Sequence, residues 1–427
     1  MPITPDAKRK IIGVTTLLVI FTILGSLFVL ERPQNPNLTA YEVQAQKIFE
    51  DTKSQFERIR NVTLPPNIKL SVYTKQQAIE RWGKGFSSLD TARILRQENI
   101  YKSLFLMAEN DNLADAVAEW TAGWTAVSFD NEIYVIYENF WPWDIPDAAV
   151  TLIHELTHIW QSGLPAPTSY DTDRAHSALL EGDASYMGDY YKAQYNNSII
   201  SAVPDSRSRL PVSIDVFQLN PIYPSVPDTV TELNWFPYIR GKTFVSTLVN
   251  DSGWDRLNRC YTPPYTPSTT AQILHPDKYF AGKTAISVFV PTPADDSWTR
   301  IPSPYGYPYD TYGEYFIYAM LSRWLNDSQA QNAAAGWSGD SFTYYEKNHD
   351  FLFTWNITWD SIQAASEFNQ AFIDMLNLAQ ANSQGVNAWF TNDRYLTLTW
   401  NPNTQSTLII CSTNQTVAAS SFFTYQP

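Results

Sequence analysis

The stretch Thr151-Leu-Ile-His154-Glu155-Leu-Thr-His158-Ile-Trp-Gln161 decides how the rest of the chain is read. Apolar residues run through and before it: Ala148, Ala149, Val150, Leu152, Ile153, Leu156, Ile159 and Trp160 predict a buried helix. Pro146 suits the first turn and Gly163 lies just past the end. On such a helix residues i and i+4 share a face, one turn apart. The imidazoles of His154 and His158 can then close on one metal ion at about 2.0–2.1 Å. Glu155, roughly 100° further round, stands beside that ion rather than on it, where a general base belongs. The alternative is a chance match on an apolar helix, with both histidines packed as ordinary core residues.

A catalytic zinc site has three protein ligands and one open position, and two histidines with a glutamate are an established set. Ala178-Leu-Leu-Glu181-Gly-Asp-Ala-Ser-Tyr186-Met-Gly-Asp-Tyr-Tyr191 predicts a second helix, and 22 residues separate its Glu181 from His158. A glutamate at a helix start is also common without any ligand role.

His-Glu-x-x-His followed by Glu-Gly-x-Ala-Ser-Tyr resembles the gluzincin metallopeptidases, most closely the aminopeptidase N-like branch, with thermolysin a more distant relative. Tyr238-Ile-Arg-Gly241-Lys-Thr-Phe-Val-Ser-Thr-Leu248 is similar to that branch's Tyr-x-Lys-Gly helix. The resemblance implies Zn2+ held by His154, His158 and Glu181, with Glu155 as base and Tyr238 donating to a tetrahedral oxyanion. It also implies an α+β fold with a thermolysin-like core, a mixed-sheet lobe plus a helical lobe, acting on a peptide or protein substrate. The chain departs from that branch in three places. The loop over residues 165–173 lengthens the gap between ligands, and Leu180 stands where the branch has Asn. Gly-x-Met-Glu-Asn, which binds a free amino terminus, is missing, since Met107-Ala-Glu-Asn110 lacks the glycine. Endopeptidase activity is therefore expected rather than aminopeptidase activity.

The chain has 427 residues, a formal charge of −14 and a pI near 4.8, which disfavours nucleic acid as a partner. Residues 11–30 are free of charge and follow Lys8-Arg9-Lys10. Twenty uncharged, mostly apolar positions suffice to span a bilayer, and the basic cluster predicts a cytoplasmic amino terminus. The run is longer than a signal-peptide core of about 7–15 residues, and no small-x-small site precedes Glu31-Arg32-Pro33. The expectation is a single-pass protein of the cell membrane, its catalytic part outside. Residues 1–10 form a tail, 11–30 the anchor, and 31–40 a linker. An α/β lobe follows at 41–163, a mainly helical lobe at 164–382, and a small β-rich appendage at 383–427.

Hydrophobic periodicity predicts helices over 41–61, 75–82, 90–109, 214–219, 235–250, 254–259, 269–274, 311–325 and 361–381. It predicts strands over 68–73, 342–345, 351–359, and on both sides of a turn at Asp130-Asn131. A free strand edge before the motif helix could pair with an extended substrate. Asp183 and Asp189 are the nearest acidic candidates to orient the histidines. His275 reads first as a structural residue and second as a cleft donor; His176 and His349 read as structural. Cys260 and Cys411 are the only cysteines, and their pairing is left open. A catalytically idle, zinc-stabilised surface protein that binds peptides or glycans is the rival reading. A structural envelope protein with a chance motif is a third. The intact Glu155 argues against the rival, because a structural zinc site needs no base and fills all four positions.

Overall fold

The computed structural model describes residues 37–83, 88–199, 226–418 and 423–424. Helix α1 (Leu38–Arg60) starts at Asn37, whose side chain accepts a bond from the Thr39 amide, and buries Tyr41, Ala45, Ile48, Phe49, Thr52, Phe56 and Arg60. These positions recur every three or four residues, as an amphipathic helix requires. Strand β1 (Lys69–Tyr73) leads to α2 (Lys75–Ala78), opened by a Thr74–Gln77 capping box and continued as a π-helical turn, Ile79–Gly83. Helices α3 (Ser88–Ser103) and α4 (Leu113–Ala122) follow, then a hairpin of β2 (Ala126–Phe129) and β3 (Glu132–Ile136). Asp130 makes the turn at φ 54°. The strand order is β1-β3-β2, with β1 parallel and β2 antiparallel to β3.

Helix α5 (Ile145–Trp160) carries the motif. Asp144 caps it, Pro146 sits in its first turn, and every residue from Ala148 to Thr157 is buried. It packs against α1, β2 and α6 (Tyr170–Ile199). Helix α7 (Asp228–Arg259) breaks at Ser252–Gly253, where Gly253 adopts φ 69°, which matches the two separate helices expected there.

Helices α6 and α7 meet backbone to backbone. A Cβ on Gly182 would lie 2.2 Å from the Gly241 carbonyl carbon, and one on Gly241 would lie 2.1 Å from the Ala178 carbonyl oxygen. Only hydrogen fits at either place. Gly182 adjoins Glu181, and Gly241 lies one turn beyond Tyr238, so this contact fixes those two side chains relative to each other.

The chain continues through α8 (Thr270–Leu274), α9 (Pro276–Phe280), β4 (Thr292–Pro293), β5 (Thr299–Ile301), α10 (Gly313–Ser322) and α11 (Asp327–Ala335). After β6 (Trp337–Lys347), β7 (Asp350–Trp359) and α12 (Ile362–Leu378) come β8 (Asn382–Gly385), β9 (Ala388–Thr391), β10 (Arg394–Asn401) and β11 (Ser406–Ser412). Seven strands form one antiparallel sheet in the order β5-β6-β7-β11-β10-β9-β8. Buried aspartates tie it to helices α10 and α6. Asp340 accepts from the Tyr312 and Gly313 amides and from the Trp337 and Trp355 indoles, while Asp310 accepts from the Tyr170 amide at the start of α6.

The expected fold is corrected in two respects. The larger sheet is C-terminal and antiparallel, and the strands between residues 382 and 412 belong to it rather than to a small appendage. Strand β11 closes a hairpin with β10 and also pairs with β7, placing Ile409 opposite Trp355, and that burial across fifty residues of chain joins the C-terminal strands to β5–β7. The membrane anchor and the membrane localisation are also corrected. No helix among the described residues is long and apolar enough to cross a membrane. The long helix α6, for example, carries Asp171, Asp173, Arg174, Glu181, Asp183, Asp189 and Lys192. The run at residues 11–30 lies outside the described residues.

Gly241→Ala should destabilise the protein by about 1–3 kcal/mol or more, because a methyl group cannot enter the α6–α7 contact without parting the helices. Thermal unfolding reads this directly, and an unchanged Tm would contradict the contact.

Candidate metal centre

His154 and His158 lie one turn apart on α5, their ring centroids 4.8 Å from each other. Glu181, on α6, reaches across so that its Oε2 lies 3.2 Å from His154 Nε2 and 3.4 Å from His158 Nε2. Ligand atoms from all three residues fall within 4.8 Å of one another, the arrangement expected from the sequence. A tetrahedral ion with bonds of 2.0–2.1 Å sets its donors roughly 3.3 Å apart, so both measured separations suit zinc.

Unsatisfied atoms mark the same place. His158 Nε2, Glu181 Oε1, both Glu155 carboxylate oxygens and the Tyr238 hydroxyl are buried without a well-formed hydrogen bond. Buried polar groups in native proteins are partnered in roughly nine cases of ten, so five such atoms around one point call for an explanation. A cation bound by the histidines and Glu181 supplies one for the ligand atoms. Water and a polarised carbonyl would serve Glu155 and Tyr238. The residues present therefore fit a His₂Glu zinc site.

The electrostatics agree in direction. Burial raises Glu155 to about 8, opposed by the charge of His158 and by the nearby Ser128 hydroxyl of β2. Burial works to lower His158, yet Glu181 and Glu155 push it up to about 9. Burial holds His154 below its ordinary value. Glu181 stays below the usual carboxylate range because the imidazoles outweigh its own burial. Burial, then the charges of Glu181 and Glu155, raises Tyr238 well above the usual phenol value, so its hydroxyl keeps its proton and can donate. The Tyr238 ring lies nearly parallel to that of His154, 6.4 Å between centroids.

Other expected residues go elsewhere. Asp189 pairs with Lys242 at 2.8 Å. His275 pairs with Glu314, which also holds Lys278, and so is a structural residue. Glu109, from the segment compared with an amino-terminus anchor, is bound by Arg394 at 2.6 Å. Cys260 and Cys411 are both free and buried. Strand β3, immediately before the motif helix, is covered on both sides; the edge beside Glu155 belongs to β2.

Sequence reasoning missed Gln161. Its Oε1 accepts from His158 Nδ1 at 2.8 Å, and the signal was available, since Gln161 follows His158 by three residues. Asp183, one of the two acidic candidates, acts one step further out, through Gln161.

Residues 303–420 match the family described as "Domain of unknown function (DUF8575)", a stretch that contains none of the five site residues. The comparison with curated proteins found no match. Among solved structures, one from Chloroflexus aurantiacus, described as a provisionally assigned hydrolase with a novel fold, is similar at 14% identity and a TM-score of 0.33. The likeness covers 58% of this chain and 91% of that one. A likeness so distant carries neither fold nor function over to this chain.

The donor set predicts one equivalent of zinc per chain after dialysis, lost in His158→Ala as measured by elemental analysis. Protons compete for His158 below about 9, so zinc affinity should rise as pH increases from 6 toward 9. A flat profile would count against His158 as a ligand.

Proposed function

We propose that the chain is a zinc-dependent hydrolase that cuts peptide bonds within polypeptides. The observation that carries this reading is the meeting of a His₂Glu donor set with an unpartnered carboxylate and an unpartnered phenol hydroxyl at one buried point. The gluzincin resemblance of the segments around His154, Glu181 and Tyr238 supports the same roles. Structural zinc sites are closed by four protein ligands, whereas the group here has three among the described residues.

Zinc held there supplies a Lewis acid for the scissile carbonyl and lowers the pKa of a water toward about 7. The residues of the chain do the rest. Glu155 takes a proton from the attacking water as its oxygen bonds to the carbonyl carbon. The Tyr238 hydroxyl donates to the carbonyl oxygen as that atom gains negative charge. Glu155 then passes its proton to the amide nitrogen, the C–N bond breaks, and a carboxylate and an amine leave. Burial alone keeps Glu155 protonated near neutrality, and a divalent cation beside it favours the carboxylate, so base strength depends on the loaded site. Among the described strands β2 lies at an edge of its sheet and carries Ser128 beside Glu155, so its backbone groups would pair with an extended substrate there.

The test is a mixed peptide library digested by the zinc-loaded protein and read by mass spectrometry. Internal cuts are expected, abolished by a chelator and restored by zinc. Glu155→Gln should keep its metal and lose nearly all turnover; full activity in that variant would sink the mechanism. Tyr238→Phe should lower kcat by about 10²–10³ with KM little changed, as fits a contact made in the transition state. A change in KM alone would make Tyr238 a substrate contact instead.

A further inference from the structure

We infer that Gln161 is a positioning residue that holds His158 in its metal-binding tautomer, and that a buried Arg60–Asp183–Tyr261 network fixes Gln161 in turn. The inference rests on the metal-site reading above. It begins with the amide at the end of α5, whose oxygen and nitrogen must be told apart from their partners. One end of the Gln161 amide faces the Leu180 carbonyl at 2.9 Å and, at 3.5 Å, Asp183 Oδ2. A carbonyl and a carboxylate can only accept, so that end is the NH₂. The Gln161 oxygen therefore faces His158 Nδ1 at 2.8 Å, and Nδ1 must carry the proton. In the neutral ring that binds a metal, Nε2 is then the nitrogen with the lone pair, on the side of Glu181, 3.4 Å from Oε2.

Three groups keep the amide from turning over. The Tyr261 hydroxyl donates to Asp183 Oδ2 at 2.7 Å and accepts from Gln161 Nε2 at 2.9 Å. Arg60 grips both Asp183 oxygens, at 2.6 and 2.9 Å, and neither side chain of that pair is exposed. The guanidinium also lies over the rings of Trp160 and Trp254, 4.5 and 4.4 Å from their centroids, and donates to Asn258, contacts that hold it in place. Flipping Gln161 would set its oxygen against a carboxylate and a carbonyl, and its NH₂ against the Nδ1 proton. Metal-bound histidines usually lean on a carboxylate or backbone carbonyl. Here a neutral amide takes that place, with the charge one step removed.

The experiment uses the full chain, stripped of metal and titrated with zinc against a chromophoric chelator, and with cobalt for its ligand-field spectrum. Gln161→Met should lose about 10–100-fold in zinc affinity and alter the cobalt spectrum, with all three ligands intact. Its metal-free Tm should stay near that of the parent protein. Tyr261→Phe removes one link of the network and should lose affinity in the same direction by a smaller factor. It carries the test if Gln161→Met fails to fold. If the parent binds zinc and both variants bind it as tightly, the positioning role is overturned while the metal site stands. A lowered metal-free Tm with unchanged affinity would make Gln161 a packing residue and overturn the inference equally. A parent protein that takes up no zinc overturns the metal-site reading, and this inference with it.

Discussion

Two helix backbones touching at Gly182 and Gly241 set the geometry on which the site depends. Helices usually pack 8–10 Å apart because side chains stand between them. Here an added Cβ would strike backbone at little more than 2 Å, so nothing stands between them. A contact made of backbone has no rotamers to explore. Glu181 from one helix and Tyr238 from the other both reach the histidines of α5, a meeting that a looser crossing would not reproduce.

That geometry concentrates titratable groups where water is scarce. His154, Glu155, Glu181 and Tyr238 are all at most 5% exposed. An ionised group in such a place is costly unless paired. The directions of shift show the strain: burial raises Glu155, while Glu181 and His158 hold each other charged against it. Next to them, the Arg60–Asp183 pair is equally buried but better bonded, with both Asp183 oxygens and both terminal Arg60 nitrogens partnered and Arg60 Nε left over. Buried ion pairs of that kind add little net stability against an apolar replacement. Holding Gln161 in one orientation gives this pair a role that stability alone does not.

Much of the site was legible in the sequence, because a helix converts spacing into geometry. His154 and His158, four residues apart on an apolar run, had to share a face; Glu155 had to stand beside them. Glu181 and Tyr238 came from motif likeness, and the glycines that bring them together lay unread inside those motifs. Gln161 was missed because the search for histidine partners looked for acids. The C-terminal sheet was read strand by strand, in the aromatic runs at 342–345 and 351–359, but not as a whole. Period-two alternation says which face a strand buries and nothing about its partner. The pairing of β7 with β11 is therefore invisible until the chain is folded.

The site draws support from far outside the stretch that carries its motifs. Helix α5 is held from one side by α1, whose last residue, Arg60, reaches the network behind His158. Helix α6 is held at its start by Asp310, which accepts from the Tyr170 amide, and by Asp171, which accepts from the Thr270 amide and hydroxyl. Asp310 lies within the segment matched to the family of unknown function, and Asp340, in the same segment, secures the Tyr312–Gly313 turn beside it. Glu181 stands three turns along the helix that this sheet anchors. The C-terminal sheet adds no residue to the candidate cluster found among the described residues, yet it fixes the end of the rod on which Glu181 is mounted. The amino-terminal helix does the same for the first two. A His₂Glu set tolerates displacements of only tenths of an ångström. Those two distant anchors are what allow three residues on two helices to meet at a single point.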